Sequence, residues 1–347
     1  MSRWAVVLAG GVGSRFWPLS TPTRPKQLLP LATDKPLLQD SVERLTPIVS
    51  LNRILVLTNA GVARAVSDLL PDLPSENIVI EPKPAGTAAA LTWAALEIAR
   101  RDGESATMIC VHADWSIGDD EEFRATLLKA EEAALEKKSL VTVGIVPTRP
   151  DPGFGYIQPG AGAGAQGPSA VKRFVEKPDR AKAQAMCDKG YLWNSGIFVW
   201  RVADFLAEVR LHTKELARAL KAASSGDAGE FFRAVDSPVS VDVGVLERSS
   251  KVMVVPGDFG WDDVGTWSAL SRVRPRDDLG NVTSGDVHLL DGCDNVVHSQ
   301  GGTVVMYGVD NLVVVARDGL VLVTTTEKAA DMKRLVDSLP PELNQAS

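Results

Sequence analysis

The chain has 347 residues, 45% hydrophobic and 23% charged, with 37 Lys and Arg against 44 Asp and Glu for a net charge of −7. That length suits two domains, or one large domain with an appendage, and needs no disulfide or metal staple to bury a core. The acidic balance argues against nucleic-acid and membrane-surface binders, which need surplus Lys and Arg, while a small anionic substrate needs only a few placed cations.

In chain order, short apolar runs occur at Trp4–Leu8, Ile54–Thr58, Asn77–Ile80, Met108–Val111 and Leu140–Val146. Helix-like segments lie between them at Leu37–Leu45, Ala60–Leu70, Thr87–Arg101 and Glu121–Lys137. This alternation predicts βαβ units and a largely parallel sheet with helices on both faces. Ligands of such sheets bind beyond the carboxyl ends of the strands. After Pro147 come a Gly/Ala-rich loop, Gly160–Pro168, expected to be mobile, strands at Val171–Val175 and Gly196–Trp200, and a helix over Ala203–Ala222. From about Gly280 the pattern turns to short β pieces (Val304–Tyr307, Leu312–Ala316, Leu320–Thr324) at roughly eight-residue spacing, then a helix over Lys328–Leu339. That spacing suits a coil or solenoid-like stack.

Cys110, Cys187 and Cys293 are far apart and show no CxxC spacing. A disulfide framework is not expected, and a reducing cytoplasm is the natural compartment. No apolar run reaches membrane-spanning length, and MSRWAVVLAGG runs straight into a glycine turn, unlike a signal peptide.

The strongest motif is LAGGVGSRFWPLSTPTRPKQ, Leu8–Gln27, directly after a predicted strand. Gly10, Gly11 and Gly13 let backbone N–H groups approach phosphate oxygens, and Arg15 and Lys26 add charge. A glycine loop alone could also open a dinucleotide fold, but Phe16 stands where GxGxxG needs its last glycine. Asp114 follows the Met108–Val111 strand, and Asp263 lies in a WDDVG turn. Either could be a cap or solvated loop residue; converging on a nucleotide, they would suit Mg²⁺, which takes one or two carboxylates plus phosphates and water. Lys177 stands in KRFVEKP, where it could hold a phosphate as a point charge or form an exposed ion pair with Glu176. The two alternate along a strand, so facing one way would require a bend. Asn194 in WNSGIF offers an amide to sugar hydroxyls. Thr87 suits a helix cap as well as a base contact.

These residues together resemble the signature of the sugar-1-phosphate nucleotidyltransferases, and the FWPLS and PKQ spelling is similar to the mannose-1-phosphate guanylyltransferases among them. Glu81–Pro82 with Thr87–Ala88, FVEKP, WNSGIF and WDDVGTW match in order and spacing over about residues 3–270, and Asp278–Leu339 resembles that family's C-terminal region. The resemblance implies an α/β fold: a Rossmann-like mixed sheet flanked by helices over residues 1–275, then a small β-helix-like domain over 276–347 ending in a helix. It implies GMP transfer from GTP to mannose 1-phosphate, with Mg²⁺ on Asp114 and Asp263, Asp262 being the alternative ligand. Leu8, Ala9, Gly10, Gly11, Gly13, Arg15, Lys26, Gln27, Glu81, Gly86, Thr87 and Asp114 are implied to bind the nucleotide. Gly155, Glu176, Lys177 and Asn194 are implied to bind the sugar phosphate. Arg15, Lys26, Asp114, Lys177 and Asp263 form the catalytic set.

Three positions depart from the pattern: Trp115 stands where His is frequent, and Ala85–Gly86 where Arg-Asn is often seen. Many relatives carry a further isomerase domain; the expectation here is a monofunctional cytoplasmic enzyme and a homodimer. The alternatives are another sugar phosphate or NTP, or a non-catalytic sensor subunit, which has no need of all five charged residues.

Overall fold

A computed structural model describes residues 2–11, 14–160, 167–340 and 343, so most of the Gly160–Pro168 loop lies outside the described residues. The chain forms two compact units. Unit one comprises Met1–Ala9, Val42–His112 and Asp119–Phe259; unit two comprises Gly10–Ser41, Ala113–Gly118 and Gly260–Ser347.

Unit one is built on nine strands: β1 (Arg3–Leu8), β2 (Ile54–Asn59), β3 (Ile78–Glu81), β4 (Thr107–His112), β5 (Leu140–Ile145), β6 (Tyr156–Pro159), β7 (Ser169–Val175), β8 (Leu192–Arg201) and β9 (Val252–Gly257). Their order is β3-β2-β1-β4-β8-β5-β9-β7-β6. The first four are parallel, and β8 runs antiparallel between β4 and β5. The apolar runs of β1, β2, β4 and β5 are nearly all buried, as strands covered by helices on both faces require. In-register partners Leu8 and His112 end β1 and β4 side by side, and the chain enters unit two at Gly10 and at Ala113, just past these two strand ends.

The helices have legible ends. Asp120–Lys137 starts at Asp119, whose carboxylate accepts the N–H groups of Glu121 and Glu122. The helix expected over Ala203–Ala222 is instead Val202–His212 and Ala217–Ala222, joined by a 3-10 turn. Thr213 leaves helical geometry at ψ 74° while its hydroxyl donates to the Gly244 carbonyl at 2.9 Å. Gly86 begins the helix Thr87–Asp102 at φ +81°, and a Cβ there would collide with the Val239 backbone, 2.8 Å from its nitrogen and closer still to its carbonyl oxygen. Gly86→Ala therefore combines a left-handed backbone with a backbone clash, and should destabilise the fold by about 2 kcal/mol or more in urea unfolding. A change within about 0.5 kcal/mol would contradict this reading.

In unit two, β10 (Val282–Ser284), β12 (Val296–Gln300) and β14 (Leu312–Arg317) form a parallel sheet edged by antiparallel β15 (Leu320–Thr325). A second parallel pair joins β11 (Val287–Leu290) to β13 (Val304–Tyr307). Successive passes of the chain thus add one strand to each sheet, a β-helix-like coil. Its turns use Asp291, Asp294, Asn311 and Asp318 at positive φ, a conformation these short polar side chains tolerate. Asn281 and Asn295 stack inside it, the Asn281 side-chain oxygen Oδ1 accepting both the backbone N–H and the Nδ2 amide of Asn295 at 3.0 Å. Val282, Val296, Val313 and Val315 close one core with Phe16, Trp17, Leu29 and Trp267. Among the described residues, no helix is long and apolar enough to cross a membrane.

Candidate active site

Within unit two, three chain segments converge. Ser116 and Asp262 form an antiparallel bridge, Ser116 N–H to the Asp262 carbonyl at 2.9 Å and the reverse at 3.0 Å. The bridge lays Asp114–Ser116 beside Trp261–Asp263, with Trp115 edge-on to Trp261 at 6.0 Å. The third segment brings Lys26, 7% exposed. Its ammonium donates to Asp114 Oδ2 at 3.1 Å and to the Asp263 carbonyl oxygen at 2.5 Å. Burial pushes the Asp263 carboxyl above the ordinary Asp range; Lys26, Arg15 and Arg272 pull it down, while Asp262 adds to the rise.

The turn that presents Asp263 is strained. Val264 has φ +44°, costly for a β-branched residue. A Cβ on Gly265 would fall 2.5 Å from Asp263 Oδ2 and 3.3 Å from an Arg15 guanidinium nitrogen, so a side chain there would push the Asp263 carboxylate aside. Such strain concentrates at functional sites. Asp262, the alternative ligand, has its carboxylate committed: it accepts from Arg272 at 2.7 and 3.1 Å and from Val264 N–H at 2.9 Å.

Gln27 donates to the Gly11 carbonyl at 3.0 Å. A Cβ on Gly11 would stand in open space, so the fold itself does not require glycine there. Gly10 and Arg15 are exposed, and Gly13 lies outside the described residues.

Within unit one, the proposed sugar-binding residues meet at a second polar cluster. A Cβ on Gly155 would lie 2.8 Å from Glu176 Oε2 and 3.5 Å from Asn194 Cβ. Lys177 has φ +40°, a bend that lets its ammonium lie 3.2 Å from Glu176 Oε1, with both side chains mostly exposed: the exposed ion pair that the sequence left open as the alternative to a phosphate contact. Asp242 was not singled out from the sequence. It opens a π-helical turn, Asp242–Leu246, and accepts the Asn194 amide at 2.8 Å. Burial raises its carboxyl above the usual range, and Asn194 opposes the shift. Its one signal is an acid inside the apolar run VDVGVL.

The nucleotide-binding candidates of unit one lie along strand ends. Leu8 and Ala9 are buried, and the Ala9 carbonyl accepts the Thr58 hydroxyl at 3.1 Å. The Thr87 hydroxyl accepts Val241 N–H at 2.9 Å, so it ties two segments together instead of capping its helix. Glu81 ends β3, and burial pushes its carboxyl up to about 7. An acid raised in the folded state stabilises most below its unfolded pKa, and that contribution is lost as pH rises through about 7. Glu81→Gln should therefore raise the thermal midpoint relative to wild type at pH 8 and not at pH 5. If Glu81 contacts the base as an ionised acceptor, the same titration raises the KM for nucleotide as pH falls from 8 to 6, and the glutamine variant flattens that profile.

Among the described residues no group of three or more His, Cys, Asp or Glu could hold a metal. Two carboxylates suffice for a hard ion that takes its remaining ligands from phosphates and water. The Asp114 carboxylate and the Asp263 main-chain carbonyl oxygen meet at the Lys26 ammonium, and the Asp263 carboxylate feels the charges of Lys26 and Arg15, so the two acids are the residues of this centre whose donor chemistry suits such an ion.

Residues 4–278 match the family described as Nucleotidyl transferase. The Xanthan biosynthesis protein XanB of Xanthomonas campestris pv. campestris (strain B100) is 39% identical over 345 residues, covering 96% of this chain and 72% of that protein. Mannose-1-phosphate guanylyltransferase of Klebsiella pneumoniae is 38% identical over 349 residues, covering 96% of this chain and 73% of that protein. A crystal structure described as mannose-1-phosphate geranyltransferase from Thermus thermophilus superposes with a TM-score of 0.88 at 35% identity, covering 97% of this chain and 99% of that one. Nucleotidyl transferases of this kind generally use a divalent metal. The chain belongs to the nucleotidyl transferase family, among its mannose-1-phosphate guanylyltransferases.

Proposed function

We propose that the chain transfers GMP from GTP to α-D-mannose 1-phosphate, giving GDP-mannose and pyrophosphate. The observation that carries this reading is the Lys26 ammonium joined to Asp114 and to the Asp263 carbonyl, a charged centre built from three distant segments and held by a strained turn.

A sugar phosphate has a second pKa near about 6 and is largely a dianion at neutral pH, so it needs no general base. Its oxygen attacks the α-phosphorus, one P–O bond forms, and the bond to the leaving pyrophosphate breaks. We assign Arg15, Lys26 and the N–H groups of the glycine loop to the triphosphate, with Gln27 fixing the loop through Gly11. Lys177 holds the sugar phosphate, and Glu176, Asn194 and the Gly155 backbone hold the sugar hydroxyls. Glu81, Gly86 and Thr87 form the base-binding segment. Mg²⁺ held by Asp114 and Asp263 would supply charge neutralisation at the reacting phosphates.

Residues 1–275 carry the transfer chemistry in this scheme, and 276–347 form the small β-rich domain through which the chain makes a cytoplasmic homodimer. The test is a panel of GTP, ATP, UTP and dTTP against mannose 1-phosphate and glucose 1-phosphate with Mg²⁺, following pyrophosphate. GTP with mannose 1-phosphate should give the highest kcat/KM. A preference for another pair would replace the substrate assignment and keep the reaction class.

A further inference from the structure

Four charged or titratable side chains gather in unit two away from the Lys26 centre. His298 on β12 and Arg317 on β14 share one face of the four-stranded sheet, because His298 pairs with Val315 and Gln300 with Arg317. That face packs on the segment containing Phe16, Trp17 and Leu29. Arg317 fastens the same segment, donating to the carbonyls of Pro18 and Leu19 at 3.1 Å each. Arg24 follows in that segment, and its charge and those of Arg317 and Arg274 all act on His298.

The donors of this group are unevenly used. Arg274 is spent on the carbonyls of Pro30, Leu31 and Thr33, with the exposed Asp34 at 3.7 Å. Arg317 is paired with Asp318 at 3.0 Å, itself mostly exposed. Among the described residues the Arg24 guanidinium makes no hydrogen bond or ion pair, and neither does the His298 ring, which rests 6.4 Å from Trp267. Both are only partly exposed. Half-buried donors without acceptors are costly, and Arg24 beside Arg317 adds like-charge repulsion: burial first, then Arg317, holds its guanidinium below the usual range, and the exposed Asp318 carboxylate offsets this only in part. A ligand carrying several negative oxygens removes both penalties, accepting the guanidinium fork bidentately and a ring N–H together.

We propose that Arg24, His298 and Arg317 form a binding site for an oxyanion of the phosphate class, separate from the residues assigned to the transfer reaction. Pro25 alone separates Arg24 from Lys26, so an anion seated there engages the backbone that carries the Lys26 ammonium. The site thereby has the place of a regulatory one.

The test follows the histidine ring signals of the whole protein by NMR. There are four histidines, and His298→Gln identifies the relevant signal. Without phosphate, burial and then Arg274, Arg24 and Arg317 hold the His298 midpoint down at about 4. Millimolar inorganic phosphate should raise it by about one unit or more, a tenfold preference of the anion for the protonated ring. Arg24→Gln should remove most of that rise, and Arg24→Lys should keep part of it. Pyrophosphate and GMP, run as parallel arms, identify the preferred source by the lowest half-saturating concentration. A midpoint unmoved by all three anions, or moved equally by chloride at the same ionic strength, would overturn the proposal, as would a full rise in Arg24→Gln.

Discussion

Asp263→Ala should lower kcat/KM by about a thousandfold or more, roughly 4 kcal/mol of transition-state stabilisation at 1.36 kcal/mol per decade. The fold should survive. Burial holds the Asp263 carboxyl above its ordinary range, so its ionised form opposes folding, and that opposition is felt as pH rises through the folded-state pKa. Removing it should leave the thermal midpoint at pH 8 unchanged or higher. Asp262 supplies the contrast. Its carboxylate holds Arg272 and the Val264 N–H, and Asp262→Ala should cost about 2 kcal/mol of stability. Adjacent acids should thus separate into an activity defect and a stability defect. Near-normal turnover of Asp263→Ala with saturating Mg²⁺ would make the metal assignment wrong.

The second large effect belongs to Lys26. Lys26→Met keeps the buried stem and removes the charge shared by Asp114 and the Asp263 carbonyl. We expect kcat to fall by about 10² to 10³, with a smaller change in KM for GTP. Charge builds on the leaving pyrophosphate during bond breaking, so a cation placed there acts mainly in the transition state. Lys26→Arg should not restore the rate, because a planar guanidinium cannot replace a compact ammonium in a slot 7% exposed. Steady-state kinetics decide it: turnover within about tenfold of wild type for Lys26→Met would remove Lys26 from the catalytic set.

What was readable in advance follows from the range over which each feature is encoded. β1, β2, β4 and β5 were legible because their buried apolar runs are continuous in sequence. For β8 the sequence predicts only Gly196–Trp200, although the strand spans Leu192–Arg201; Gly196 at φ +74° and a register shift opposite Val143 and Gly144 break its alternation. The helix break at Thr213 depends on the distant Gly244 carbonyl, which no local propensity contains.

The same distinction holds at the site. Lys26, Asp114 and Asp263 could be picked out as charged residues in strand-end loops, but their meeting depends on the Ser116–Asp262 bridge across 146 residues of chain. The turn at Lys177 and the carboxylate of Asp242 against Asn194 are tertiary facts with almost no sequence signature. The resemblance implies that Gly155 binds the sugar phosphate; the structure adds that a side chain there would displace Glu176.

The central claim is tested most directly by product identity. Purified protein with GTP, mannose 1-phosphate and Mg²⁺ is sampled over time, with GDP-mannose measured by mass spectrometry and pyrophosphate by a coupled assay. The predicted result is equal molar formation of both, dependent on each substrate and abolished by chelation of the metal. Pyrophosphate release at the same rate without mannose 1-phosphate, or no GDP-mannose above a protein-free control, would contradict the account.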